Sequence, residues 1–183
     1  MFKYVGDIST LAQNIIKEYC NEKIVAVDAT LGNGYDTDFL SDTFQRVYSM
    51  DIQRKLVESY KEKAKENVTL ICDSHEYINK YIKEDINCAM YNLGYCPGEN
   101  KEITTKSQST LLSISNTLSL LKSGGLITIG IYVGHNEGKK EESIIIDYLR
   151  KLPKDKFGVM LHEYINRSAT SPRLAVIEKK IIT

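Results

Sequence analysis

The sequence predicts an α/β domain: a mostly parallel seven-stranded sheet closed by an antiparallel C-terminal strand pair. Three observations carry this. Apolar, β-rich runs alternate with helix-period segments, the pattern of a parallel sheet covered on both faces. A glycine-rich turn follows the first of those runs, where a strand would hand over to a helix. The last two β-rich runs are separated only by "NRSATSP", whose proline and polar residues suit a connection and not a crossover helix.

The elements follow in order. Ile8, Leu11, Ala12, Ile15, Ile16 and Tyr19 form a helical stripe over residues 8–20. The strand "IVAVD" comes next, then a helix over 36–43, the strand "RVYSMD", a charged helix over 53–66 and the strand "VTLIC". A helix over 75–83 leads into the strand "INCAMYNLG", and a longer helix over 106–122 leads into "GGLITIGIYV". A helix over 138–152 precedes the final pair, "FGVMLHEYI" and "RLAVIEKKI". No repeat or linker divides the chain, so residues 1–183 are read as a single domain.

Bulk properties narrow the class. At 42% hydrophobic and 26% charged residues the chain matches globular averages, and no apolar run reaches the length of a membrane span. The N-terminal stretch lacks the apolar core of a secretory signal, so a cytoplasmic location is expected. Cysteines 20, 72, 88 and 96 form no CxxC pair, and histidines 75, 135 and 162 lack ligand spacing, so no metal site is expected. Cys72 and Cys88, in apolar strand-like surroundings, read as buried small hydrophobes. The 24 basic and 24 acidic residues cancel, so any nucleic-acid surface has to be a local patch.

The stretch "VDATLGNGYDTDF", residues 27–39, carries the chemistry. An apolar strand ends on Asp28, and Gly32, Asn33 and Gly34 turn the chain into a helix bearing Asp36 and Thr37. Ligands of open α/β sheets bind at such carboxyl ends of strands. A dinucleotide is disfavoured, because Asp36 would stand beside the pyrophosphate at the helix N-terminus, and no P-loop sequence is present. A cationic sulfonium ligand instead gains from nearby carboxylates. Asp51, at the end of the second strand, is placed to accept both hydroxyls of a ribose, with Gln53 beside it. Asp73 and Ser74 end the third strand with polarity suited to an adenine edge. Each of these residues could equally cap a turn or helix; their recurrence at successive strand ends favours a ligand.

The acid–x3–G-x-G spacing resembles the first motif of S-adenosylmethionine-dependent methyltransferases of the Rossmann-like class I fold. With "YNLGYCPGENKEITT", "LLKSGGLITIGIYVGHNEGKKEE" and "NRSATSPRLAVIEK" added, the chain resembles the YtqB-like rRNA methylase family from about residue 5 to residue 180. Its MnmM-type members methylate the exocyclic amine of 5-aminomethyl-2-thiouridine at the wobble position of transfer RNA. The resemblance implies S-adenosylmethionine as cofactor, with Asp28 and Asp36 toward its amino-acid end, and the tRNA anticodon region as partner. A homodimer is compatible with it. The family patterns GNGHDT, NLGYLPG and NQxNxPP read here as "GNGYDT", "NLGYCPG" and "NRSATSP", so Tyr35 stands for a histidine and Arg167 and Ser171 for Gln and Pro.

On the reacting side, Asn92 can accept a hydrogen bond from the target amine, Tyr95 can stack on a base and His135 can take a proton. All three lie where turns or loops alone would also explain them. Lys106, Lys139 and Arg167, with Lys101, Lys140 and Arg173, can flank the same cleft and contact RNA, although Glu99, Glu102, Glu141 and Glu142 stand close enough to offset them. Amine methylation needs no covalent cysteine, whereas attack on a pyrimidine ring would require one, and Cys96 is the placed candidate. Alternatives are methylation of another RNA base or a small amine, and a cofactor-binding RNA-binding protein that transfers nothing.

Overall fold

The computed structural model describes residues 2, 4–94, 105–132 and 136–181, of which 136–140 by backbone only. The chain alternates as predicted: α1 (Ile8–Tyr19), β1 (Val25–Asp28), α2 (Tyr35–Thr43), β2 (Arg46–Met50), α3 (Arg54–Lys61), β3 (Val68–Ile71), α4 (Ile78–Tyr81), β4 (Ile86–Leu93), α5 (Ser107–Leu120), β5 (Leu121–Ile131), α6 (Asn136–Leu149), β6 (Phe157–His162) and β7 (Arg173–Lys179). One seven-stranded sheet runs in the order β3-β2-β1-β4-β5-β7-β6. The first five strands pair in parallel, and β7 inserts antiparallel between β5 and β6. The order in which strands are added to the sheet reverses between the parallel neighbours β1 and β4, which opens a crevice at their carboxyl ends.

Alternation along the strands divides the core. Ala26, Cys88 and Met90 point to the face covered by α1 (Ile8, Ala12, Ile16) and α2 (Phe39, Leu40). Val27, Ala89 and Tyr91 point to the opposite face, under Ile78 of α4, Ile114 and Leu118 of α5 and Ile145 of α6. Both faces of the central strands are therefore buried, which is why these runs read as continuously apolar.

Three boundaries differ from the sequence expectation, each for a local reason. The α3 helix stops at Lys61 and not at 66, since its buried stripe ends with Leu56, Val57 and Tyr60. The 75–83 helix is a 3-10 turn, His75–Tyr77, followed by the short α4. Leu121 leaves α5 to pair with Ile86 as the start of β5, and a positive φ of 75° at Gly124 carries the chain back into register. Cys72 follows the end of β3 and is exposed, which corrects its expected burial, while Cys88 is buried as expected.

Candidate functional site

The strand ends and the helices behind them enclose a cleft of about 1010 Å³. Its floor is the glycine turn. Gly32 and Gly34 adopt positive φ values of 49° and 84°, and the Gly34 amide bonds to the Leu31 carbonyl at 2.7 Å. A Cβ on Gly34 would come within 2.2 Å of the Tyr60 ring, so this position excludes any side chain. Asp51 closes the turn from the neighbouring strand: its carboxylate accepts the Gly32 amide at 3.0 Å and the Gln53 amide at 2.8 Å. Burial raises its pKa.

Asp28 and Thr37 correct an expectation. Neither lines the cleft; Asp28 is 1% exposed and Thr37 fully buried beneath the turn. The Asp28 carboxylate accepts the Thr37 hydroxyl at 2.6 Å and the Thr30 amide at 3.0 Å, and Thr37 also bonds to Ser49. Spacing alone located the acid at the strand end without revealing that it turns inward. Burial, reinforced by the charge of Asp36, pushes the Asp28 pKa up to about 7.

Gly32, Asn33, Gly34, Asp36, Asp51, Gln53, Asp73 and Ser74 all line the cleft. Asp73 also accepts the Tyr81 hydroxyl at 2.6 Å, and Ser74 caps the 3-10 turn, so the capping roles weighed from sequence coexist with the cleft position. Asn92 and Lys106 line it too. Tyr95 and His135 lie outside the described residues, and Lys139 falls on α6 with its side chain outside them. Arg167 is not in the lining: its guanidinium donates to the Val5 carbonyl at 2.9 Å and stacks 3.8 Å from the Tyr164 ring. Arg173 is held by Glu142 and Glu163, the charge offset that the sequence reading weighed.

Further cleft residues escaped sequence reasoning. The N-terminal end of α1 contributes Asp7, Ser9, Thr10 and Gln13, and the end of β5 contributes Tyr132. Gln13 donates to Asp36 Oδ1 at 2.9 Å, and Asn92 Nδ2 donates to Asp36 Oδ2 at 2.6 Å, so one carboxylate holds two carboxamides. The Asn92 backbone N–H donates to Thr30 Oγ1 at 2.8 Å. His75 enters from the end of β3; burial lowers its pKa to about 4, and its Nε2 has no hydrogen-bond partner among the described residues. Only the alternation of polar residues at successive strand ends hinted at His75. At the cleft mouth the Gly94 amide bonds to Thr105 Oγ1 at 2.9 Å and the Thr105 amide to the Gly94 carbonyl at 3.1 Å, while buried Glu141 of α6 accepts the Thr105 and Thr110 hydroxyls.

Among the described lining residues, Asp7, Asp36, Asp51, Asp73 and Glu76 face a single cation, Lys106. That field repels a pyrophosphate and favours a positively charged ligand. A glycine turn open to close approach, a carboxylate at the second strand end and polar groups at the third together fit a sulfonium nucleoside with an amino-acid tail. No group of described residues is arranged to hold a metal ion, and no described helix is long and apolar enough to cross a membrane.

The family described as "Putative rRNA methylase" matches residues 47–178. A chloroplastic tRNA (mnm(5)s(2)U34)-methyltransferase of Arabidopsis thaliana is 33% identical over 159 residues, covering 77% of this chain; the chain spans 58% of that relative. The crystal structure of a "putative rRNA-methylase" from Clostridium thermocellum superposes with a TM-score of 0.90 at 33% identity, covering 96% of this chain and 98% of the other. A "putative methyltransferase" from Streptococcus mutans, in complex with SAH, gives 0.86 at 36% identity, covering 98% and 99%.

Proposed function

The chain belongs to the rRNA methylase family, whose solved relatives share the class I, S-adenosylmethionine-dependent methyltransferase fold, and from that premise we propose that it methylates the aminomethyl nitrogen of a 5-aminomethyl-(2-thio)uridine at the wobble position of tRNA, giving 5-methylaminomethyl-(2-thio)uridine. The observation that carries the choice of an amine is Asn92: its NH2 is committed to Asp36, which leaves its carbonyl as an acceptor on an acidic cleft. A carbonyl acceptor suits an N–H donor, and the acidic field draws in an aminomethyl group that is cationic in water. The name of the Arabidopsis relative supports the uridine assignment.

In this reading Gly32, Asn33 and Gly34 border the cofactor, Asp51 receives its ribose and Asp73 with Ser74 face its adenine. S-adenosylmethionine supplies an electrophilic methyl group on a sulfonium. The protein's task is then alignment of a free amine with that methyl, for which positioning suffices. Tyr132 at the cleft wall offers a stacking face for the base, and Lys106 a contact for the RNA backbone. Tyr95 and His135 keep in this proposal the stacking and proton-accepting roles that their side-chain chemistry allows.

The test is nucleoside mass spectrometry on tRNA lacking the wobble methyl, incubated with purified protein and S-adenosylmethionine. Appearance of methylaminomethyl-thiouridine supports the proposal. An unchanged nucleoside, with methyl label on another base or on a small amine, sinks the wobble assignment. SAH binding without any methyl transfer would leave a non-catalytic binding protein.

A further inference from the structure

We propose that Asp36, with Gln13 and Asn92, forms a two-carbonyl seat for a primary amine and so limits the enzyme to one methyl transfer per nitrogen. The inference rests on the amine-acceptor reading above and goes beyond it by assigning Asp36 to the acceptor and not to the cofactor.

The geometry begins with what a carboxylate can do. An ionised carboxylate only accepts hydrogen bonds, so both carboxamides must turn their NH2 groups toward Asp36, and their carbonyl oxygens must face away. Asp36 is 5% exposed, which protects both bonds from competing water. Among the described residues, neither Gln13 Oε1 nor Asn92 Oδ1 has a hydrogen-bond partner, and both side chains line the cleft. Gly130, the cross-strand partner of Asn92, leaves room for this pose: a Cβ there would lie 2.7 Å from Asn92 Oδ1.

Two fixed carbonyl acceptors match a primary amine, which has two N–H bonds and one lone pair. The group arrives as an ammonium and first gives one proton to solvent; with its two remaining N–H groups donated, the lone pair is left to attack the methyl carbon. An N–C bond forms, the C–S bond breaks with its electron pair passing to sulfur, and the product is a secondary ammonium that later gives one proton to solvent. A second transfer starts from a secondary amine with one N–H and one methyl. If its lone pair is aimed at a new sulfonium, that methyl has to stand against one of the two carbonyls, leaving a desolvated acceptor unpaired. The penalty for such a loss corresponds to at least about a tenfold lower rate.

The experiment compares wild type, Gln13→Leu and Asp36→Asn on tRNA carrying either aminomethyl- or methylaminomethyl-thiouridine, with SAH affinity measured by calorimetry. Gln13→Leu is expected to cut the preference for the primary amine at least tenfold, giving detectable dimethyl product. Asp36→Asn is expected to lose about a hundredfold in kcat. Both are expected to keep SAH affinity within about twofold, which also reports that they fold. Wild-type activity with an unchanged preference in Gln13→Leu overturns the seat alone. A tenfold loss of SAH affinity in Asp36→Asn also overturns it, by making Asp36 a cofactor ligand. A wild-type enzyme that leaves aminomethyl tRNA unmethylated overturns the acceptor reading, and the seat with it.

Discussion

The two halves of the cleft are built differently. On the side proposed for the cofactor, one glycine turn and three successive strand ends shape the wall through backbone geometry, with Asp51 bonding to the amides of Gly32 and Gln53. On the side proposed for the acceptor, side chains from α1, α2 and β4 meet at Asp36, and Gln13 and Asn92 are brought together from distant parts of the sequence. A site made of local backbone resists substitution by refusing volume, whereas one made of converging side chains can be retuned one residue at a time.

The sharpest way to break this contrast is at Gly34. A side chain there would be strained at a φ of 84° and would strike Tyr60 at 2.2 Å. Gly34→Ala is expected to weaken SAH binding at least thirtyfold and to destabilise the fold by about 1–3 kcal/mol; calorimetry and thermal melts measure both. Near-normal affinity in this variant would show that the cofactor half tolerates volume after all.

A smaller effect is expected across the cleft. Tyr132→Ala removes the stacking face at the end of β5, and kcat/KM for tRNA should fall about tenfold, the scale of one base–aromatic contact, with SAH affinity unchanged. A parallel loss of SAH affinity would mean that the halves are not separable.

The smallest effect probes what lies beneath both. Asp28 has a folded pKa of about 7 against an ordinary value of 3.8. Between those values the folded protein binds a proton that the unfolded chain has released, so stability falls as pH rises through this window and levels off above about pH 7. The slope is at most about 1.4 kcal/mol per pH unit. Asp28→Asn should flatten it, which melting temperatures at pH 5 and pH 8 would reveal; equal slopes in both proteins would refute the assignment.

The same contrast explains what was legible. Apolar runs, the G-x-G turn and acids at successive strand ends are short-range patterns, and they specified the sheet, its antiparallel closure and most of the strand-end wall of the cleft. Asp28 and Thr37 were located correctly along the chain, but their direction depends on Ser49 of β2, a partner that spacing does not reveal. Gln13 lies off the apolar stripe of α1 and carries no signal in the sequence, because its bond to Asp36 arises only when α1 packs beside α2. His75, one of three scattered histidines in sequence, acquires its burial from the packing of α5 behind it.

The pair of hydrogen bonds between Gly94 and Thr105 has an evolutionary meaning. They pin the end of β4 to the approach of α5, and Glu141 of α6 braces the same Thr105 hydroxyl. Gly94 and Thr105 both line the cleft, so the elements that carry Asn92 and Lys106 share one anchor. A lineage can therefore exchange either of those side chains on a wall whose backbone stays where it is.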